Sequence, residues 1–260
     1  MALEQNVTRV EREIAGRTLA LETGKVANQA HGAVWVQYGE TVVLATVLSA
    51  PSKRDIDFFP LYVDYREATY SSGKIPGGFF KREGRPSTQE VLTMRMIDRP
   101  IRPLFPADFM DEVQIQCLTL SYDGENEPDL LALIGASAAL SISHAPFEGP
   151  IGAARMGCVE GKVIPMPILG EIDGGDLDLV AAGPREAINM IECGGLEVPE
   201  DVVAEALDQA HQICCQIIEM IDELAEKTDA ASRKTYEPTP IPDELKQAIA
   251  EKYGDQVREA

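Results

Sequence analysis

The stretch Lys74-Ile75-Pro76-Gly77-Gly78-Phe79-Phe80-Lys81-Arg82-Glu83-Gly84-Arg85-Pro86-Ser87-Thr88-Gln89-Glu90-Val91-Leu92-Thr93-Met94-Arg95-Met96-Ile97-Asp98-Arg99-Pro100-Ile101-Arg102 decides how the rest of the chain is read. It carries seven basic side chains (Lys74, Lys81, Arg82, Arg85, Arg95, Arg99, Arg102) against three acidic ones (Glu83, Glu90, Asp98), a net +4 on a chain whose total is −20. A cationic island on a strongly acidic protein suits a phosphate or polyphosphate ligand, because it offsets locally a field that repels polyanions elsewhere. Pro76-Gly77-Gly78 cannot sit inside a helix or a central strand, so residues 74–85 read as an exposed loop. Ser87-Thr88-Gln89-Glu90 has the S-x-x-E pattern of a capping box and opens a helix that Pro100 and Pro103 end. Arg95 and Arg99, four apart, share one face of that helix; Leu92 and Met96 offer an apolar one.

Toward the N-terminus, Arg17 to Glu22 and Leu61 to Arg66 alternate polar and apolar residues, as strands do. Ala33 to Tyr38 and Thr41 to Ser49 are β-branched and aromatic runs separated only by Gly39-Glu40, which predicts a hairpin. The segment before the basic stretch therefore predicts a strand meander. Toward the C-terminus, Val113 to Leu120 alternates again. Pro128 suits the first turn of a helix running to about Ser143. That helix is apolar nearly all round, so it should be buried and central, packed closely through Gly135, Ala136, Ala138 and Ala139. Strands follow at 151–159, 162–165, 177–182 and 188–193, then an amphipathic helix over about 199–227. This order predicts an α+β domain, with a mixed β-sheet and packed helices, over residues 1–229. Ala230 to Pro242 contains three prolines and makes residues 230–241 a linker. Residues 242–260 read as the start of a polar helical segment, so the sequence looks like a piece of a longer chain.

The charge balance argues against diffuse binding to nucleic acid or anionic membranes. No apolar run approaches the ~20 residues of a membrane span, and Met1 to Glu13 lacks the apolar core of a signal peptide. The five cysteines show no C-x-x-C spacing, which fits buried thiols in a reducing cytoplasm. The three histidines, His31, His144 and His211, make no metal-ligand spacing.

Phe79 to Ser87, followed by Ile97-Asp98-Arg99-Pro100-Ile101-Arg102-Pro103-Leu104-Phe105-Pro106, resembles the bacterial polynucleotide phosphorylases in their first ribonuclease-PH-like domain. Leu21-Glu22-Thr23-Gly24, Asp57-Phe58-Phe59-Pro60, Ile134 to Leu140 and Gly149 to Arg155 match the same family. The resemblance covers Arg17 to about Leu224 and implies a ribosomal-protein-S5-domain-2-like fold. Residues beyond Pro240 resemble the beginning of the family's all-helical inter-domain segment. It further implies an enzyme that degrades single-stranded RNA from its 3′ end with inorganic phosphate as nucleophile, releasing nucleoside diphosphates. Mg²⁺ assistance, a homotrimeric ring and partners in an RNA-degradation complex are implied in the same way.

In that family the Phe-Phe-basic-basic loop lines the RNA path, which assigns RNA binding to Phe79, Phe80, Lys81 and Arg82; Lys81 stands where arginine is usual. Exposed aromatics stack on bases without reading sequence, and adjacent cations neutralise phosphates. The competing reading makes the two phenylalanines core anchors. Arg95 and Arg99 are the next candidates, since the planar guanidinium fork matches phosphate oxygens; their alternative is a salt-bridged face.

The sequence departs from the family where phosphorolysis is expected. A serine-rich phosphate loop should open the central helix, yet here it opens Asn126-Glu127-Pro128-Asp129. Paired metal-binding aspartates are expected on the strand turn at Pro165 to Asp173, but Pro167 occupies the first position and only Asp173 remains. One carboxylate is a poor Mg²⁺ anchor. No catalytic or metal residue is therefore assigned in this chain, and the alternative to RNA guiding is a purely structural ring-assembly domain.

Overall fold

The computed structural model describes residues 7–52, 57–79, 81–233, 236–238 and 242–259. Five strands precede the first helix: β1 (Thr8–Ile14), β2 (Arg17–Thr23), β3 (Gly32–Tyr38), β4 (Thr41–Ala50) and β5 (Leu61–Glu67). Helix α1 (Thr88–Ile101), strand β6 (Glu112–Ser121) and helix α2 (Pro128–Ser141) follow. Strands β7 (Gly152–Val159) and β8 (Lys162–Pro165), the short helix α3 (Leu169–Asp173), and strands β9 (Leu177–Gly183) and β10 (Met190–Gly195) come next. Helices α4 (Glu200–Lys227) and α5 (Asp243–Glu259) complete the order.

The α+β expectation holds, with two sheets in place of one. The first runs β1-β2-β3-β4-β6-β5 and the second β10-β9-β7-β8. The predicted hairpin is present: Tyr38 pairs with Thr41 across Gly39-Glu40, and Gly39 adopts φ +60°. A Cβ at Gly39 would come within 2.5 Å of Asn126 Nδ2, so both the turn and the close approach ask for glycine.

The predicted meander needs correction at its end. Strand β5 does not pair with β4; it lies at the sheet edge, parallel to β6. Parallel neighbours require a crossover connection, and the basic stretch with α1 is that crossover, with α1 packed on β5. Strand β1 was not foreseen either, because its alternating charges hide Val10 and Ile14, which are buried against the core. The turn at Leu169–Asp173 is one short helix.

Helix α1 opens as expected. The Ser87 hydroxyl accepts from the Glu90 N–H at 3.1 Å, and Glu90 Oε2 accepts from the Ser87 N–H. The helix runs one residue past Pro100 and ends at Ile101, before Pro103. Pro100 removes one backbone donor, but Ile97, Pro100 and Ile101 are buried, and Asn189 Nδ2 donates to the Pro100 carbonyl at 3.1 Å.

All fourteen residues of α2 are buried. The helix packs on β3, β4 and β6 through Val34, Val36, Val43, Ala45, Val47, Ile115 and Cys117, and meets α4 and β7 on its other side. Gly135 permits that approach: a Cβ there would sit 2.9 Å from both Ala45 Cβ and Val36 Cγ2. Helix α4 lies across β7 and β9. Within the proline-rich stretch after α4, Tyr236 packs edge-on against Phe109, with ring centroids 5.5 Å apart.

Candidate nucleic-acid interface

The loop before α1 is exposed and tied at its base. Glu83 accepts hydrogen bonds from the Thr69 N–H at 2.8 Å and the Thr69 hydroxyl at 2.7 Å. At its far end Glu90, besides capping α1, accepts from the Glu67 N–H at 3.0 Å. Burial alone would raise the Glu90 carboxyl, but hydrogen bonds from Ser87 and Glu67 and the charge of Arg66 outweigh it and hold it below its ordinary value. Within the loop that Glu83 closes onto Thr69, Gly78 and Lys81 adopt φ +77° and +51°. Phe79 is 93% exposed, so the core-anchor reading does not apply to it. Phe80 lies outside the described residues. Lys81, Arg82 and Arg85 are exposed.

Arg95 and Arg99 share the outer face of α1, beside the exposed Val91 and Leu92. Their situations differ. Arg95 has no hydrogen bond or ion pair among the described residues, whereas Arg99 Nη1 meets Glu192 Oε1 of β10 at 2.7 Å, with both side chains about half exposed. Arg102 is structural: it is paired with Asp98 and donates to the carbonyls of Phe59 and Leu61.

The start of α2 and the turn after β8, where phosphate and metal would be expected by resemblance, do come together. They enclose only about 20 Å³, bounded by Asn126, Glu127, Arg155, Met166 and Pro167. Arg17, which sequence reasoning missed, spans the gap: it donates to Asn126 Oδ1 and to the Met166 carbonyl, and stacks over Tyr38 with 4.7 Å to the ring centroid. Burial, reinforced by the nearby Asp129, pushes the Glu127 carboxyl above its ordinary value. Pro167 and Met166 offer no ligand side chain, and Asp173 is exposed at the end of α3, so these residues do not fit a Mg²⁺ site. Among the described residues no group of three or more His, Cys, Asp or Glu side chains could hold a metal ion.

A buried ion cluster was also missed. Arg155 in β7 pairs with Asp129 of α2 at 3.0 Å and with Asp178 of β9 at 3.0 Å. The available signal was one charge inside the apolar run Ala153-Ala154-Arg155-Met156. The cysteines divide: Cys117, Cys158 and Cys214 are buried as expected, while Cys193 on β10 is exposed.

Comparison with known proteins places this arrangement. The description "3′ exoribonuclease family, domain 1" matches residues 15–146, from β2 through α2, and "3′ exoribonuclease family, domain 2" matches residues 149–213. The chain belongs to the 3′ exoribonuclease family. Among its relatives is the polyribonucleotide nucleotidyltransferase of Roseiflexus sp. (strain RS-1), 48% identical over 258 residues, or 99% of this chain and 34% of the relative. The enzyme of the same name from Hyphomonas neptunium is 52% identical over 245 residues, covering 94% of this chain and 34% of the relative. The chain thus spans about a third of the length of the curated relatives it matches. In structure it is similar to rice (Oryza sativa) Rrp46, with a TM-score of 0.64 at 15% identity over 85% of this chain and 95% of that one. It is also similar to a chain of the Archaeoglobus fulgidus exosome with RNA bound to the active site, with a TM-score of 0.62 at 17% identity over 83% and 87%. At such identities the likeness to these two structures is one of fold alone.

Proposed function

We propose that this chain is the RNA-guiding part of a phosphorolytic 3′-to-5′ exoribonuclease, a polyribonucleotide nucleotidyltransferase acting in cytoplasmic mRNA degradation. The observation that carries the reading is the exposed Phe79 on a tethered loop beside Lys81 and Arg82, with Arg95 on the helix the loop leads into. Such a loop stacks bases and neutralises phosphates without reading sequence. Phe80 and Arg99 complete the proposed RNA-binding set. Inorganic phosphate and Mg²⁺ act in a part of the protein beyond these residues, and the tight, Arg17-spanned junction at α2 supports a silent site here. Residues 1–229 form the ribonuclease-PH-like unit, 230–241 the link, and 242–260 the opening of a helical segment.

A specific observation favours an additional assembly role. Trp35, Leu44 and Leu118 are direct cross-strand neighbours on β3, β4 and β6. They lie on the sheet face opposite the residues that pack on α2, and each remains partly exposed. A further copy of the chain covering this strip would build the homotrimer.

The test is the double variant Phe79→Ala/Phe80→Ala. Single-stranded RNA affinity should fall about tenfold or more while the oligomer persists. Unchanged affinity would leave only the assembly role. The chain alone should release no nucleoside diphosphate from poly(A) with phosphate and Mg²⁺, and robust release would overturn the silent-site reading.

A further inference from the structure

A cleft of about 330 Å³ opens between α1 and β10. Leu92, Thr93 and Met96 form one wall, and Glu192, Cys193 and Gly194 the other. Its floor is the ion cluster of Arg155 with Asp129 and Asp178. We propose that this cleft is a nucleoside subsite, taking one base and its ribose from a single-stranded RNA whose phosphates rest on Arg95. The proposal rests on the RNA reading above and adds to it where a base goes and which bases are favoured.

Charge argues for a base rather than a phosphate. Arg155 stands 3.0 Å from each of two carboxylates, so the floor is net negative even though Arg155 Nε and Asp178 Oδ1 make no hydrogen bond. Asp178 and Glu192 are each less than half exposed and use one oxygen in an ion pair, Asp178 Oδ1 to Arg155 and Glu192 Oε1 to Arg99. Their other oxygens have no hydrogen-bond partner among the described residues. A carboxylate near neutral pH only accepts. Such acceptors repel phosphate and welcome the exocyclic amino groups of adenine, cytosine and guanine, which uracil lacks.

Shape argues the same way. Leu92 is 52% exposed and borders Met96, making an apolar shelf for a flat ring. Opposite it, β10 is an edge strand of its sheet. All of its residues except Met190 are exposed, so nothing described covers that wall. Apart from Arg155 in the floor, the described cations next to this cleft stand on α1. Arg99 closes one side through Glu192, and Arg95, one turn earlier on α1, is left for the backbone phosphate. Base inward and phosphate outward is the orientation this distribution of charge selects.

Cys193 is exposed in the wall and reports occupancy directly. The chain is labelled with a maleimide, and each cysteine is followed by mass spectrometry, alone and with short oligoadenylate or oligouridylate at saturation judged by fluorescence anisotropy. Oligoadenylate should slow Cys193 labelling about tenfold and leave Cys215 unchanged; oligouridylate should protect less at equal occupancy. Glu192→Gln should narrow the preference for oligoadenylate over oligouridylate. Bound oligonucleotide with undiminished Cys193 labelling would overturn the subsite while leaving the Phe79 loop intact. Equal protection by both homopolymers would overturn the amino-group recognition. Absence of any binding would sink the parent reading and this one together.

Discussion

Arg155 grips Asp129 with both ends of its guanidinium, Nη1 to Oδ1 at 3.2 Å and Nη2 to Oδ2 at 3.0 Å, and so locks β7 to the first turn of α2. Burial opposes the charge on Arg155, and the neighbouring acids Asp129, Asp178 and Glu127 outweigh it. Both side chains of the Arg155–Asp129 pair are nearly inaccessible. Removing Asp129 leaves Arg155 with only the more exposed Asp178 as counter-charge, in a medium that solvates ions poorly. Asp129→Ala should therefore cost about 3–5 kcal/mol in urea unfolding, whereas replacing both residues with apolar ones of similar volume should cost much less.

Gly152 opens β7 where α4 crosses it. A Cβ there would lie 2.2 Å from the Cys214 carbonyl oxygen and 2.5 Å from Cys214 Cα, both backbone atoms that cannot swing aside. Gly152→Ala should lower stability by about 1–3 kcal/mol, seen as a drop in Tm. The same change at Gly77, where a Cβ meets nothing within 4 Å, should leave Tm nearly unchanged.

Acid should act through Asp123. Burial by itself raises this carboxyl, but hydrogen bonds from the Asn126 and Glu125 backbone, the Asn126 amide and Thr41 outweigh burial and hold it well below its ordinary value. A group depressed in the folded state contributes stability that is present above its unfolded pKa, about 4, and is lost as pH falls through the folded value. The Tm gap between wild type and Asp123→Asn should be widest near neutral pH and should shrink as pH drops below about 4. A gap that widened toward acid would contradict this arrangement.

Arg95 and Arg99 should separate under salt titration of RNA binding. Each phosphate contact adds about −0.7 to the slope of log affinity against log salt for single strands. Arg95→Ala should reduce the slope by about that amount. Arg99 already carries Glu192 at 2.7 Å, so Arg99→Ala should change the slope less.

Local features are legible in the sequence itself. The Ser87/Glu90 box, the Tyr38–Thr41 hairpin and the apolar α2 are each written within a few neighbouring residues, where capping, turn and periodicity preferences act directly. The exposure of the loop around Phe79 followed from Pro76-Gly77-Gly78 by the same logic. Other features were hidden because their partners are distant. Arg17 meets Met166 at a separation of 149 residues, Arg99 meets Glu192 at 93, and Arg155 meets Asp129 at 26. No periodicity encodes such pairs, since the periods of helix and strand report only which face a residue occupies.

By itself, then, the amino-acid order determined most of the elements, though not β1 or α3, together with the buried central helix, the family resemblance and the cationic island with its aromatic tip. The tertiary structure alone decided that β5 lies parallel to β6 and that the basic stretch is the crossover between them. It also decided that Arg17 joins the start of α2 to the turn after β8 and that a carboxylate-lined cleft opens between α1 and β10. The physical reason is common to all of these. Short-range preferences act between neighbours along the chain, while strand order, ion pairing and cavities arise only when remote segments are packed against one another and their charges must be satisfied where they meet.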